Sequence, residues 1–500
     1  QLLIQLVLVS WHWLRLLEGN LMNFLQDIFN SMLPEIILLV TIFAVIIISM
    51  FYNVKFYKVS KWIALAGVVL ALFSLQKLQL EPIYYAFNYN ILSDTFTVFF
   101  KALILVASII IILLSKKNVS TRNHKTFQFY ALLLSAILSS LLILSSNDFI
   151  TLTVALEMLS FSLYFLIAYK KGYLSKEASF KYLITNAFAT SIFLFGVSYL
   201  YGITASFNFN DINNYFMKQD PSFVYTFANI FIVTGLLFKL AILPFANWVL
   251  DVYEGAPTSI TAFIATVPKI AMIAVIARLL AFPAGYSFEL PFVLIILSVL
   301  TAVWANILAI RQKNILRLLA CSSSANASYM LFVLALVSVS NLSTVLFYLI
   351  TYVFMNLGAF ATVVALENSG FTKKLSDYKG LVYTNPMFSL AFAICIFGLA
   401  GFPITSGFVA KLYLLSAIVT SGILFVPFLV VLIFAIVVGA YYYTNLIKIM
   451  FERTNNNKFI VHSSTTSQSV VLYICATITL IVGICPSALV DLCKFIAFNL

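Results

Sequence analysis

Residues 231–268 read FIVTGLLFKLAILPFANWVLDVYEGAPTSITAFIATVP, and Lys269 follows at once. An apolar run carrying one lysine, Lys239, stops at Pro244; an acidic loop with Asp251 and Glu254 comes next, and then a second apolar run begins. A cation in the middle of a bilayer-crossing helix costs roughly 2.5–3.5 kcal/mol on insertion scales, so it faces protein or a wet cavity and not lipid. Interrupted backbone at that depth is subject to the same constraint, because hydrocarbon offers no hydrogen-bond partner. The stretch therefore predicts a helical membrane protein with a broken, charge-bearing helix in its interior, and it is the first place to look for an ion path.

The rest of the chain agrees with this. It is 63% hydrophobic and only 9% charged, against about 25% charged in an ordinary soluble domain, and its mean hydropathy is +1.05. The alternating ten-residue strands of a membrane barrel are absent, which leaves helices as the way across. Spans are expected at 34–54, 60–77, 91–114, 127–145, 148–168, 179–201, 223–243, 258–280, 290–310, 315–337, 344–366, 386–421, 426–449 and 468–489. The expected fold is thus an all-α polytopic membrane protein of about fourteen transmembrane helices.

Two segments are too irregular to be simple crossings. One is the break near Pro244 in helix 7. The other is 386–421, where Gly398, Gly401, Pro403 and Gly407 fall within 36 residues. Paired broken helices at matching places in two halves point to inverted repeats of the antiporter kind. The expected division is 1–30 as an N-terminal extension or interfacial helix, with Met22 as an alternative start, and 31–126 as helices 1–3. Residues 127–281 and 282–450 are the two halves, and 451–500 form the last loop and helix 14.

The formal charge of +12 comes from 29 basic residues that are not gathered into one patch, so no nucleic-acid partner is expected. Lys55, Lys58 and Lys61, Lys116 and Lys117, Lys170 and Lys171, Arg311, Lys313 and Arg317, Lys373 and Lys374, and Lys448 and Arg453 all follow odd-numbered spans. By the positive-inside rule these loops share the cytoplasmic or matrix side. Cys321, Cys395, Cys475, Cys485 and Cys493 have no CxxC spacing, so neither a disulfide nor a metal cluster is expected. His12, His124 and His462 lie outside the predicted spans, leaving haem or zinc almost no ligands.

Four charged residues within the spans read as buried: Glu157, Lys239, Lys269 and Lys411. Glu157 needs a cationic partner or an exchangeable proton, and Lys239 is the obvious partner. Approach of the two would favour both charged forms and separation both neutral forms, which is a switch for proton transfer. The bland reading is a static pair that fixes packing. Lys101 and Lys181 lie nearer helix starts and read as interfacial. Glu35 and Asp94 read as terminal charges, Asp251 and Glu254 as capping or entry groups, and Trp248 and Tyr253 as packing residues.

Several stretches resemble the subunit N family of respiratory complex I, also called NADH dehydrogenase subunit 2. They are KLAILPFANWVLDVYEGAPTSITAFIATVPK at 239–269, SSNDFITLTVALEMLSFSLYFLIAY at 145–169, NILRLLACSSSANASYM at 314–330, AGFPITSGFVAKLYL at 400–414 and GAYYYTNLIKIMF at 439–451. The resemblance covers about 32–490 and implies a fourteen-helix, antiporter-like subunit, with broken helices 7 and 12, that takes part in proton translocation. Residue by residue, it places the family's helix 5 glutamate at Glu157 and its lysines of helices 7, 8 and 12 at Lys239, Lys269 and Lys411. Lys411 together with DVYEGAP at 251–257 favours subunit N over the related antiporter subunits. The chain departs from the pattern at Ala246 and Asn326, where members often have histidine, and at Leu250 and Ser259, where proline is usual. Ser322, Ser323, Ser324, Asn326 and Tyr329 could hold water in place of the missing relay groups.

The resemblance further implies that this chain binds no cofactor, since NADH, FMN, iron–sulfur clusters and quinone are used by other subunits. The implied partners are other membrane subunits of complex I, including antiporter-like neighbours, and membrane lipids. The 48 phenylalanines suit a lipid-exposed protein without separating a mitochondrial inner membrane from a bacterial plasma membrane; the mitochondrial inner membrane is the expectation, with a bacterial plasma membrane as the alternative. Two other functions stay open at this point: a subunit of a multisubunit cation/proton antiporter, and a structural membrane scaffold.

Overall fold

The computed structural model describes residues 26–51, 57–78, 83–115, 125–170, 172–218, 223–281, 289–452 and 466–499. The expected N-terminal extension up to residue 25, the three histidines and part of the basic loops lie outside the described residues. The architecture is nearly all helical, with thirteen helices long and apolar enough to cross a membrane among the described residues. Their apolar side chains form one continuous core.

The helices in order are α1 Leu33–Phe51, α2 Tyr57–Ser74, α3 Thr95–Leu114, α4 Lys125–Ser145, α5 Phe149–Ile167 and α6 Tyr173–Thr204. Next come a short amphipathic α7 Phe209–Lys218, α8 Phe223–Leu240, α9 Trp248–Gly255, α10 Thr258–Ala281, α11 Glu289–Ile310, α12 Ile315–Ala335 and α13 Val339–Asn368. The chain ends with α14 Pro386–Ala400, α15 Ser406–Thr420, α16 Val426–Phe451, α17 Thr466–Ile484 and α18 Ser487–Phe498. Helix α10 sits at the centre, packed against α3, α4, α8, α12 and α13, and the most apolar part of its span is entirely buried.

Both expected interruptions are present. The seventh crossing divides into α8 and α9 around 241–247, and α14 and α15 divide around 401–405. Each helix ends on a left-handed residue, Ala241 with φ 59° and Gly401 with φ 84°. A residue in that conformation stops the α-helical ladder, and glycine does so without a Cβ penalty. At the second break the two half-helices cross closely: a Cβ on Gly407 would lie 1.8 Å from the Gly398 carbonyl oxygen. Each broken helix packs on the long helix before it, α8 and α9 on α6, and α14 and α15 on α13.

Local structure differs from the sequence expectation in four places. The stretch with Asp251 and Glu254 is not a loop but the helix α9, with Asp251 in its first turn, where a carboxylate meets the positive helix end. The third crossing does not begin at 91: Tyr84–Ala86 and Ile91–Ser93 pair as antiparallel strands β1 and β2, and α3 starts only after the Asp94 side chain accepts from Thr97 N. The first span, expected from 34, is entered through a π-helical turn, Ile28–Met32, that runs directly into α1, with Glu35 in the first turn of α1. The last predicted span ends at Ile484, and α18 is a separate helix after it.

Candidate functional site

The broken-helix region gathers the charges. Glu157 lies midway along α5, half-buried, and Lys239 is the penultimate residue of α8, 6% exposed. They do not form the direct ion pair the sequence suggested, because α6 runs between them and supplies Asn186. Lys239 Nζ donates to Ser160 Oγ at 2.7 Å and to Asn186 Oδ1 at 3.2 Å. Asn186 Nδ2 donates to Glu157 Oε1 at 3.4 Å, and Thr190 Oγ1 donates to the same oxygen at 2.7 Å. The amide thus faces the cation with its acceptor and the carboxylate with its donors, the orientation both charges require.

Lys269 lies in the middle of α10 and is fully buried. Its Nζ donates to the Ser323 carbonyl at 2.9 Å. Hydroxyls cluster around that residue: Ser323 Oγ lies 3.1 Å from Tyr253 OH and 2.8 Å from Tyr352 OH. Asn356 Nδ2 donates to the Tyr352 hydroxyl at 3.0 Å. Tyr253 therefore does more than pack, whereas Trp248 is wedged against Tyr182 and Phe238 as expected.

One residue before Ser323, a second cluster begins. The Ser322 hydroxyl bonds to that of Tyr443, and Asn326 donates to the Ser322 carbonyl at 2.7 Å while accepting from Tyr348 at 2.7 Å. Tyr442 donates to Asn306 Oδ1 at 3.3 Å, and Asn306 Nδ2 donates to Tyr329 OH at 2.8 Å. The Ser324 hydroxyl is buried with no protein partner, which leaves it free to bind water. Ala246 is wholly buried and contributes no polar side-chain group.

Lys411, the third buried lysine, is held differently. From α15 it folds back over the break and donates to the carbonyls of Leu399 and Ala400 at 2.9 and 2.8 Å. These are the unpaired acceptors at the negative end of α14, a natural seat for a cation. Its Nζ lies 6.0 Å from the centre of the Tyr329 ring, so it adjoins the second hydroxyl cluster. Among the described residues no carboxylate comes within 4 Å of Lys239, Lys269 or Lys411.

Other charges fall where the sequence reading did not put them. Lys101 is not interfacial: it is fully buried and pairs at 2.7 Å with Glu35, itself 2% exposed. Asp94 caps α3 and also pairs at 2.7 Å with Arg278 near the end of α10. That arginine was missed; its signal is a guanidinium in the last turn of a helix whose second half is otherwise apolar after Lys269. Lys181 is exposed, as expected, and pairs with Glu177 and Asp251 at 2.7 Å. Asp251 and Glu254 cap nothing. They pair with Arg317, and with Lys181 they tie α9 to α6 and α12.

The profile of the family described as NADH:quinone oxidoreductase/Mrp antiporter, TM matches residues 146–440. NADH-quinone oxidoreductase subunit N of Trichlorobacter lovleyi is 34% identical over 482 residues, covering 95% of this chain and 98% of its own. The subunit N of Ruthia magnifica subsp. Calyptogena magnifica is 32% identical over 478 residues, covering 93% and 97%. Among solved structures, a chain of respiratory complex I from Thermus thermophilus superposes with a TM-score of 0.77 at 28% identity, covering 92% of this chain and 98% of that one. A chain of the Mrp complex from Dietzia sp. DQ12-45-1b shares the fold, with a TM-score of 0.78 at 17% identity and coverage of 94% and 98%. With the profile spanning both broken helices and the curated relatives matching almost end to end, the chain belongs to the subunit N family of NADH-quinone oxidoreductase.

Proposed function

We propose that this chain is the non-redox, antiporter-like membrane subunit of a proton-translocating NADH:quinone oxidoreductase and carries protons along Glu157, Lys239, Lys269 and Lys411. The observation that carries the reading is the holding of three buried lysines by neutral acceptors alone, with Glu157 one amide away from the first. A lysine locked in a purely structural pair would have its carboxylate beside it. A lysine held by carbonyls and hydroxyls can give up its proton when a helix end shifts by an ångström or so, because the charged form loses its acceptors.

In this scheme Glu157 and Lys239 share charge through Asn186 in the half at 127–281. The Ser323 hydroxyl cluster receives from Lys269, and the second cluster reaches Lys411 in the half at 282–450. A hydroxyl passes a proton by accepting on a lone pair and releasing its own, so the tyrosines need never ionise. Water completes the steps between clusters and takes the place of the imidazoles lacking at Ala246 and Asn326.

Electron transfer lies elsewhere: NADH, FMN, iron–sulfur clusters and quinone are assigned to other subunits, and this chain to no cofactor. Its partners are the other membrane subunits, antiporter-like neighbours among them, and lipid. The composition suits a mitochondrial inner membrane and a bacterial plasma membrane alike, and the bacterial sources of the relatives support the bacterial plasma membrane. Membrane fractionation of the source cell distinguishes the two.

The test is Lys239→Ala in the assembled complex, comparing proton pumping with redox turnover. Assembly should persist and pumping per electron should fall. Full pumping at normal turnover would favour a scaffold role, and sodium/proton exchange by the purified chain without redox partners would favour an independent antiporter.

A further inference from the structure

We infer that the groove between the α11–α12 turn and the 373–376 segment is a binding site for the phosphate headgroup of an anionic phospholipid, with an acyl chain laid along α16. The groove has a volume of about 850 Å³ and is lined by Arg311, Lys313, Arg317 and Lys374, with Asn445 and Ile449 of α16 as its wall. It is a built surface. Ile315 N donates to the Lys373 carbonyl and Leu375 N to the Lys313 carbonyl, both at 2.9 Å, so two basic segments are fastened together as a two-rung ladder.

Charge in this groove is unbalanced in one direction. Its one carboxylate, Glu254, already accepts from Arg317 and, at 2.8 Å, from Asn314. Among the described residues the side chains of Arg311, Lys313 and Lys374 have no carboxylate within 4 Å. Three cations therefore line one opening, and no carboxylate among the described residues neutralises them. The groove belongs to the basic face, where anionic headgroups attract such clusters.

A free phosphate would satisfy the cations but not the wall. Along α16, Val430, Phe434, Val437 and Tyr441 are 60–63% exposed. They follow one another at three- and four-residue steps and continue through Asn445 to Ile449, so they form a ridge on one face of the helix. From Val430 to Ile449 the ridge runs about 28 Å at 1.5 Å per residue, so its half nearest the groove spans about one hydrocarbon leaflet, roughly 15 Å. An exposed apolar ridge leading into a basic groove is the outline of a lipid, with chain and headgroup each provided for. An acidic protein segment would use the cations and leave the ridge unexplained.

The experiment takes the full chain from vesicles of phosphatidylcholine with a minority of phosphatidylglycerol and measures retained lipid by native mass spectrometry. Each cation near a headgroup contributes about fivefold in affinity. Arg311→Ala/Lys313→Ala/Lys374→Ala should therefore weaken phosphatidylglycerol retention on the order of a hundredfold, leaving phosphatidylcholine unchanged. These side chains make no ion pair among the described residues, so thermal unfolding should not move; if the triple variant fails to fold, exposed Lys313→Glu alone must still lower retention. Equal retention by wild type and variants overturns the inference. So does displacement of the lipid by millimolar inorganic phosphate, which marks a free-anion site, or polypeptide density filling the groove in the assembled complex.

Discussion

The two broken helices solve one problem in two ways. At the first break, Lys239 comes before the interruption and is held by side chains of other helices, Ser160 on α5 and Asn186 on α6. At the second, Lys411 comes after it and is held by backbone carbonyls of the preceding half-helix. The first seat changes whenever α5, α6 and α8 move relative to one another, and it has a carboxylate at its far side. The second is internal to the break and responds only if α14 and α15 shift against each other. The first is thus suited to receiving a signal from Glu157, and the second to holding a proton at the end of the path.

The largest effect that would break this contrast is at Asn186. Asn186→Leu removes the amide that joins Glu157 to Lys239 and should lower proton translocation in the assembled complex about tenfold, in the usual range for a coupling energy, with both charged residues still in place. Pumping within twofold of wild type would show that the two charges communicate by another route. A smaller effect is expected at Gly401, where an alanine Cβ would lie 2.8 Å from Lys411 Cδ and adopt φ 84°. Gly401→Ala should cost about 1–3 kcal/mol of stability, read as a lower Tm, and should disturb Lys411 without altering Glu157. The smallest is its counterpart: Ala241 already holds φ 59°, so Ala241→Gly should change stability by no more than about 1 kcal/mol, in contrast to the loss at Gly401. Equal losses at both positions would mean that the breaks are not built alike.

Much of this was legible from the sequence because the signals were local. Pro244 marks one interruption, and Gly401 with Pro403 the other. The apolar run lengths fixed the crossings, and Glu157, Lys239, Lys269 and Lys411 stood out as charges within them. What could not be read were the partners, since these are separated by dozens to hundreds of residues. Lys101 looked interfacial because it lies near the start of its crossing, and Glu35 on α1, which pairs with it in the interior, meets the lysine only in the fold. Asn186 was overlooked although TN followed by a threonine four residues on, inside an apolar span, is a polar stripe on one helix face. The acids at 251 and 254 looked like loop residues because a short helix between glycine and proline leaves little periodicity to detect.

The central claim is that Glu157 and Lys239 share a proton balance across Asn186, and infrared difference spectroscopy on the assembled complex tests it most directly. The carboxylate stretch of Glu157, assigned by its disappearance in Glu157→Gln, should shift when Lys239 is replaced by methionine, because the Asn186 amide that donates to the carboxylate loses the cation on its other side. The account is contradicted if that band keeps the same position and the same intensity with and without Lys239.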